Sequence, residues 1–212
     1  MTTMRLVLAT NNAKKLVELQ ALLGPAGVTL VAQGALGISE AEEPHGTFIE
    51  NALAKARHAA QACGGPAMAD DSGLCVAALG GAPGVISSHF APVELPAGAR
   101  EVQRAVQDAA NNRLLLERLA DAPDRRAHFI ATLVALRRAD DPEPLIAVGH
   151  WHGEIARTSD GAGGFGYDPL MFIAALGSSV AALSPAQKNA HSHRAIAAQT
   201  MLGLLRDVWH LG

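Results

Sequence analysis

The sequence predicts an α/β domain, on three observations. "MRLVLAT" is an apolar run that stops at the polar pair "NN" and gives way to leucines at helical spacing, Leu16, Leu19, Leu22 and Leu23. Two later segments, "RRAHFIATLVALRR" and "EPLIAVGHWHGEIA", alternate with a period of two and flank "ADDPEP", the pattern of an antiparallel pair. Long helical stretches cover roughly 99–120 and the region from Ser192 onward, where Ile196, Met201, Leu204, Leu205 and Val208 recur. A chain of 212 residues suffices for one domain with a sizeable core, or for two small lobes sharing one sheet.

In chain order, the first strand ends at Thr10 and its helix runs to about Leu23. A second strand follows at "VTLVA", and residues 34–46 read as a polar loop. Thr47 opens "TFIE", a capping box in which its hydroxyl accepts from the N–H near Glu50 while Glu50 reaches back. That helix runs to about Cys63, where "GG" ends it. "PAMA" and "GLCVAAL" read as the arms of a strand or hairpin around Asp70 to Gly73, and "GGAPGVISSHFAP" as a loop. "DGAGGFGYDPLMFI" is a glycine-rich loop entering another apolar segment. No repeat or low-complexity linker interrupts the chain, which favours one unit with lobes over independent domains.

Composition narrows the function classes. An apolar fraction of 49% with 17% charged residues describes a folded protein rather than a disordered one. No apolar run approaches the length of about 18 needed to span a bilayer, and "MTTMRLVLATNN" lacks the order of a secretory signal; a cytoplasmic location without membrane partners is expected. Cys63 and Cys75, the two cysteines, make no disulfide framework and read as core fillers. A net charge of −3 argues against broad nucleic-acid binding. Lysine occurs four times, as Lys14, Lys15, Lys55 and Lys188, and three of these stand in polar segments suited to phosphate.

Four polar elements carry chemistry. In "ATNNAKK", Thr10, Asn11, Asn12 and Ala13 offer donors at a helix start and Lys14 or Lys15 a mobile positive charge, a set that suits terminal phosphates. In "PAMADDSGLCV", Asp70 and Asp71 interrupt apolar sequence, and burying an uncompensated carboxylate costs several kcal/mol, roughly. With Glu42 and Glu43 they supply enough oxygens to hold a hard divalent ion and to take a proton from water. If this stretch is extended, Asp70 and Asp71 point to opposite faces, so that one can work while the other braces backbone. In "GGFGYDP", Phe165, Gly166, Tyr167 and Asp168 combine aromatics, a carboxylate and amides suited to a nucleobase, with Tyr167 as a core aromatic the alternative. In "QKNAHSHR", Lys188, His193 and Arg194 are cationic or cation-capable beside a helix start at Ser192. "GHWHG" has no third ligand at a motif spacing, and no G-x-S-x-G elbow is present.

"LATNNAKKLVEL", "EEPHGTFIENALAKARHAA", "ADDSGLCVAALGGAPGV", "GGFGYDPLMF" and "KNAHSHRAIA", in that order, resemble the inosine triphosphate pyrophosphatase family over nearly the whole chain. The resemblance implies a single domain over 1–212 with an elongated mixed central sheet, flanking helices, two lobes around a nucleotide cleft, and a homodimer. It implies Mg²⁺-dependent hydrolysis of ITP, dITP and XTP between the α and β phosphates, giving a nucleoside monophosphate and pyrophosphate and cleansing the nucleotide pool. By position it implies phosphate contacts at Thr10, Asn12 and Lys15, a general base at Asp71 with Ser72 beside the nucleotide, and a metal ligand at Glu43 or Glu42. It places the purine against Phe165 and the Gly166–Asp168 segment, with Lys188, His193 and Arg194 completing base and phosphate contacts. His89 stands where the family commonly has arginine, so the permanent positive charge of that arginine is not expected here. A pyrophosphatase for other modified nucleotides and a nucleotide sensor that does not hydrolyse are the alternatives.

Overall fold

The computed structural model describes residues 4–211. Its strands are β1 (Met4–Leu8), β2 (Val28–Ala32), β3 (Ala67–Val76), β4 (Arg126–Leu136), β5 (Leu145–Ile155), β6 (Met171–Ile173) and β7 (Ser178–Ser179). They form one mixed sheet in the order β2-β1-β3-β4-β5-β6-β7. β1 pairs in parallel with β2 and β3, whereas β5 with β6 and β6 with β7 are antiparallel. The flanking helices are α1 (Ala13–Leu23), α2 (Phe48–Cys63), α3 (Arg100–Arg118), α4 (Pro185–His191) and α5 (His193–Asp207). This is the expected α/β class. The segment around Asp70 is a continuous strand, β3, not a hairpin. No helix among the described residues is long and apolar enough to cross a membrane.

The described residues divide into two compact units, the first comprising 4–72, 130–150 and 189–211. Alternation along its strands sends side chains to two faces. On one face Leu6, Leu8, Met68 and Leu133 pack with Leu19 and Leu23 of α1 and Ala197, Met201 and Leu205 of α5. On the other, Val7, Ala9, Ala67, Ala69 and Val134 lie with Ala52, Ala56, Ala59 and Ala60 of α2. Small side chains on both partners let α2 approach that face closely, so a long side chain in the α2 stripe reaches along the sheet.

The helix starts follow from their capping residues. Asn12 Oδ1 accepts the N–H groups of Lys14 and Lys15, and Ser192 Oγ that of Ala195. Thr47 Oγ1 accepts Glu50 N–H at 3.3 Å, as the capping box predicts. The Glu50 carboxylate, however, accepts a hydrogen bond from the Thr47 hydroxyl at 2.6 Å, a side-chain contact rather than the expected reach to backbone. Gly64, at φ +63°, ends α2 in the left-handed region that glycine enters at little cost.

The second unit comprises 73–129 and 151–188. Its core gathers Leu74, Val76, Leu115, Leu119, Phe129, Trp151, Tyr167, Leu170 and Met171. Polar bonds tie the turn at Gly84–His89 to this core: the Tyr167 hydroxyl and Asn111 Nδ2 both donate to Ser87 C=O, at 2.9 and 3.1 Å. Asn111 Oδ1 accepts Ala91 N–H at 2.8 Å.

Candidate active site

In the first unit the strand alternation determines what each acid meets. Asp70 shares a face with Met68 and so turns toward α1 and α5, where Lys15 and Arg194 stand 3.1 and 3.0 Å from its Oδ2. Asp71 shares the opposite face with Ala69 and meets α2, whose Lys55 ammonium lies 2.8 Å from its Oδ1. The two neighbours therefore work apart, as extended geometry requires. Ser72 returns to the Asp70 side, donating to Asp70 Oδ2 at 3.4 Å and accepting from Arg194 Nη2 at 2.7 Å. Arg194 Nη1 donates to Glu18 Oε2 at 3.0 Å.

The electrostatics separate the acids further. Burial alone would raise the Asp70 pKa, but Lys15 and Arg194 outweigh it and hold the carboxyl well below the usual carboxylate range. Asp71 goes the other way: burial pushes its carboxyl up, against the pull of Lys55 and with the help of the Glu43 charge. Desolvation lowers Lys15, beyond what Asp70 restores. Lys55 is raised, because Asp71 and Glu43 together overcome its desolvation.

The acidic loop joins this face through Lys55, which donates to Glu43 Oε2 at 3.0 Å; Glu43, rather than its equally exposed neighbour Glu42, makes the contact. Asn51 of α2 fixes the loop by accepting His45 N–H at 3.0 Å and donating to His45 C=O at 3.1 Å. Glu43 and Asp71 thus share one cationic group, and Asp71 Oδ2 is buried with no hydrogen-bond partner. An oxygen-donor pair already holding positive charge, with a buried oxygen still unbonded, fits a hard divalent cation. No cluster of three or more His, Cys, Asp or Glu suited to a metal occurs among the described residues, so phosphate oxygens and water would complete such a shell.

The loop that carries Thr10, Asn11 and Asn12 stands at the end of β1. Thr10 Oγ1 accepts Asn12 N–H at 3.1 Å, and Asn12 Oδ1 is committed to capping α1. The Asn11 side chain lies over Gly34, where an added Cβ would meet Asn11 Oδ1 at 2.6 Å. Ala13 and Lys14 are exposed at the first turn of α1, while Lys15 turns inward to Asp70. His193 is buried at the first position of α5.

The second unit builds the glycine-rich loop. Asp168 Oδ2 accepts Phe165 N–H at 2.9 Å and the Lys188 ammonium at 2.8 Å, and that ammonium lies 4.6 Å from the Phe165 ring centroid. At Gly164, φ +73°, a Cβ would run into the Asp168 carboxylate, so only glycine allows this closure. Gly166 N–H donates to Asp108 Oδ2, and Gly166 C=O accepts from Asn112 Nδ2. The Phe165 and Gly166 amides, expected as exposed donors, are used inside the protein. Tyr167 is 4% exposed with its ring in the core, which is the alternative reading of that residue; burial and then the Asp108 charge raise its hydroxyl pKa.

Sequence reasoning missed Lys55, Glu18, Asp108 and Asn112 as partners. Lys55 had a signal: it falls in the buried register of α2, beside Ala52, Ala56 and Ala59. The other three carried none, since each meets its partner across a long stretch of chain, up to 176 residues for Glu18 and Arg194.

Comparison with known proteins agrees with the motifs. The profile of the Ham1 family matches residues 6–204. A dITP/XTP pyrophosphatase of Methylibium petroleiphilum is 66% identical, covering 97% of this chain and 99% of its own. One from Leptothrix cholodnii is 64% identical, covering 98% of this chain and all of its own. A solved HAM1 protein from Coxiella burnetii superposes with a TM-score of 0.85 at 40% identity, covering 97% of this chain and 100% of that one. With a profile matched over residues 6–204 and relatives of this identity and coverage, the chain belongs to the Ham1 family.

Proposed function

We propose that this protein hydrolyses non-canonical purine nucleoside triphosphates, ITP, dITP and XTP, to the monophosphate and pyrophosphate. The observation that carries the reading is the Glu43–Lys55–Asp71 chain of contacts. It sets a buried carboxylate with one unbonded oxygen beside the Lys55 ammonium, in a chain whose relatives are named for this reaction.

In the proposed mechanism Asp71 orients and deprotonates the water that attacks the α phosphorus. Its raised pKa suits proton acceptance, whereas Asp70, held low by two cations, is a poor base and a good anchor. Lys15, Lys14 and the α1 start with Thr10, Asn11, Asn12 and Ala13 take the triphosphate oxygens, and Lys15 with Arg194 offsets charge growing on the leaving pyrophosphate. Ser72 and His193 flank the nucleotide. Magnesium is the expected cation, held by Glu43 and Asp71 with Glu42 adjacent, and when bound it supplies a Lewis acid for phosphate oxygens.

In this reading the Phe165–Asp168 loop takes the base. Phe165 stacks on the purine with Gly166 and Tyr167 behind it, Lys188 donates to a 6-keto oxygen and Asp168 accepts from a ring N–H. Adenine presents an amino donor and a ring acceptor there, and each buried mismatch costs about 1–3 kcal/mol. The working assembly in this reading is a homodimer.

The test is pyrophosphate release from a panel of dITP, XTP, dATP, dTTP and UTP with magnesium and with chelator. Release from dITP and XTP that stops with chelator is expected. Preferred release from dTTP or UTP would support another modified-nucleotide pyrophosphatase, and tight binding without product a sensor.

A further inference from the structure

The loop that carries Phe165 and Asp168 is attached to α3 by two bonds ending on one residue. Asp108 Oδ2 accepts Gly166 N–H at 2.8 Å, and Asn112 Nδ2 donates to Gly166 C=O at 2.9 Å. Positions 108 and 112 are one turn apart on the same helix face, so a rigid element reads both backbone polar groups of a single loop residue, fixing the two peptide planes that flank it. Gly166 sits at φ +62°, and Gly164 nearby at φ +73°. A segment so rich in glycine has many conformers to lose, and the Asp168 bond to Phe165 N–H spans only the residues on either side of Gly166 without holding Gly166 itself.

We propose that Asp108 and Asn112 are positioning residues for base recognition, clamping Gly166 so that Phe165 and Asp168 are presented together to a 6-keto purine. The inference rests on the base-loop assignment made above. Without the clamp the loop spends only part of its time in the competent arrangement, and apparent affinity falls by that fraction. The Glu43, Lys55 and Asp71 contacts lie elsewhere in the chain and are untouched. Loss of the clamp therefore raises KM and leaves kcat in place. It also narrows the preference for 6-keto purines, because adenine gains nothing from the Lys188 and Asp168 contacts that the clamp aligns. A carboxylate acceptor binds an N–H more strongly than a neutral one, yet Asp108→Asn keeps an acceptor oxygen and the same shape.

The experiment measures kcat and KM for dITP and dATP, with urea denaturation alongside, in wild type, Asp108→Ala, Asn112→Ala and Asp108→Asn. Expected for the two alanine variants is a rise of about tenfold in KM for dITP, kcat within about twofold, and a smaller dITP-to-dATP ratio of kcat/KM. D108N is expected to recover most of the loss. If D108A does not fold, N112A carries the same expectation. Wild-type KM and selectivity in the folded alanine variants would overturn the clamp, as would a fall in kcat alone with the KM unchanged. A selective wild type whose selectivity survives in the variants overturns this inference alone, whereas a wild type with no preference for dITP overturns the functional reading and the inference with it.

Discussion

The Lys55 ammonium stands 2.8 Å from Asp71 Oδ1, on the opposite side of β3 from the Lys15 and Arg194 pair that holds Asp70. Two acids adjacent in sequence therefore have different electrostatic fates, and the proposed division of labour follows. Asp70 is anchored by two cations, while Asp71 shares a single lysine with Glu43.

Asp71→Asn is expected to keep the fold, since the amide preserves shape and Lys55 retains Glu43. Turnover should fall at least about a hundredfold, the usual contribution of a positioned general base. Pyrophosphate release by protein with a wild-type melting curve checks this, and near-normal turnover would remove Asp71 from the mechanism.

Asp70→Ala has a different expected cost. Buried Arg194 and half-buried Lys15 are left without their shared counter-charge, a loss of about 3–5 kcal/mol. Urea denaturation measures it. A change below about 1 kcal/mol would show that Glu18 and water compensate for the carboxylate.

Asp70 also predicts a pH window. Its folded pKa is depressed, so its stabilising contribution is present above the ordinary value of 3.8 and is lost as pH falls through the lower folded value. The stability difference between wild type and Asp70→Asn, followed by denaturation at a series of pH values, should be constant near neutrality and shrink in strong acid. A difference that grows on acidification would reverse the assigned sign.

Glu43 and Glu42 make a paired test of the metal reading. Chelation should stop hydrolysis and magnesium restore it. Glu43→Gln should raise the magnesium needed for half-maximal rate by about tenfold, and Glu42→Gln by much less, because Glu43 alone of the two reaches Lys55. Equal effects would leave the loop acid unassigned.

Local physics explains what was legible beforehand. The opposite facing of Asp70 and Asp71 follows from strand alternation, the start of α2 from Thr47 and its end from Gly64, all properties of neighbouring residues. The continuity of β3 was obscured because two acids and a serine break its apolar pattern; helices distant in sequence compensate them. Likewise nothing near Arg194 announces Glu18, and nothing near Gly166 announces Asp108 and Asn112. Tyr167 sits in a motif that suits a base, yet its hydroxyl finds Ser87, 80 residues earlier, and its ring fills the core.

The central claim is that water, activated at Asp71, attacks the α phosphorus of a 6-keto purine triphosphate. Hydrolysis of dITP in ¹⁸O-labelled water, with both products analysed by mass spectrometry, tests it most directly. The label is predicted in deoxyinosine monophosphate and absent from pyrophosphate; label in pyrophosphate, or release of inorganic phosphate in its place, would contradict the account.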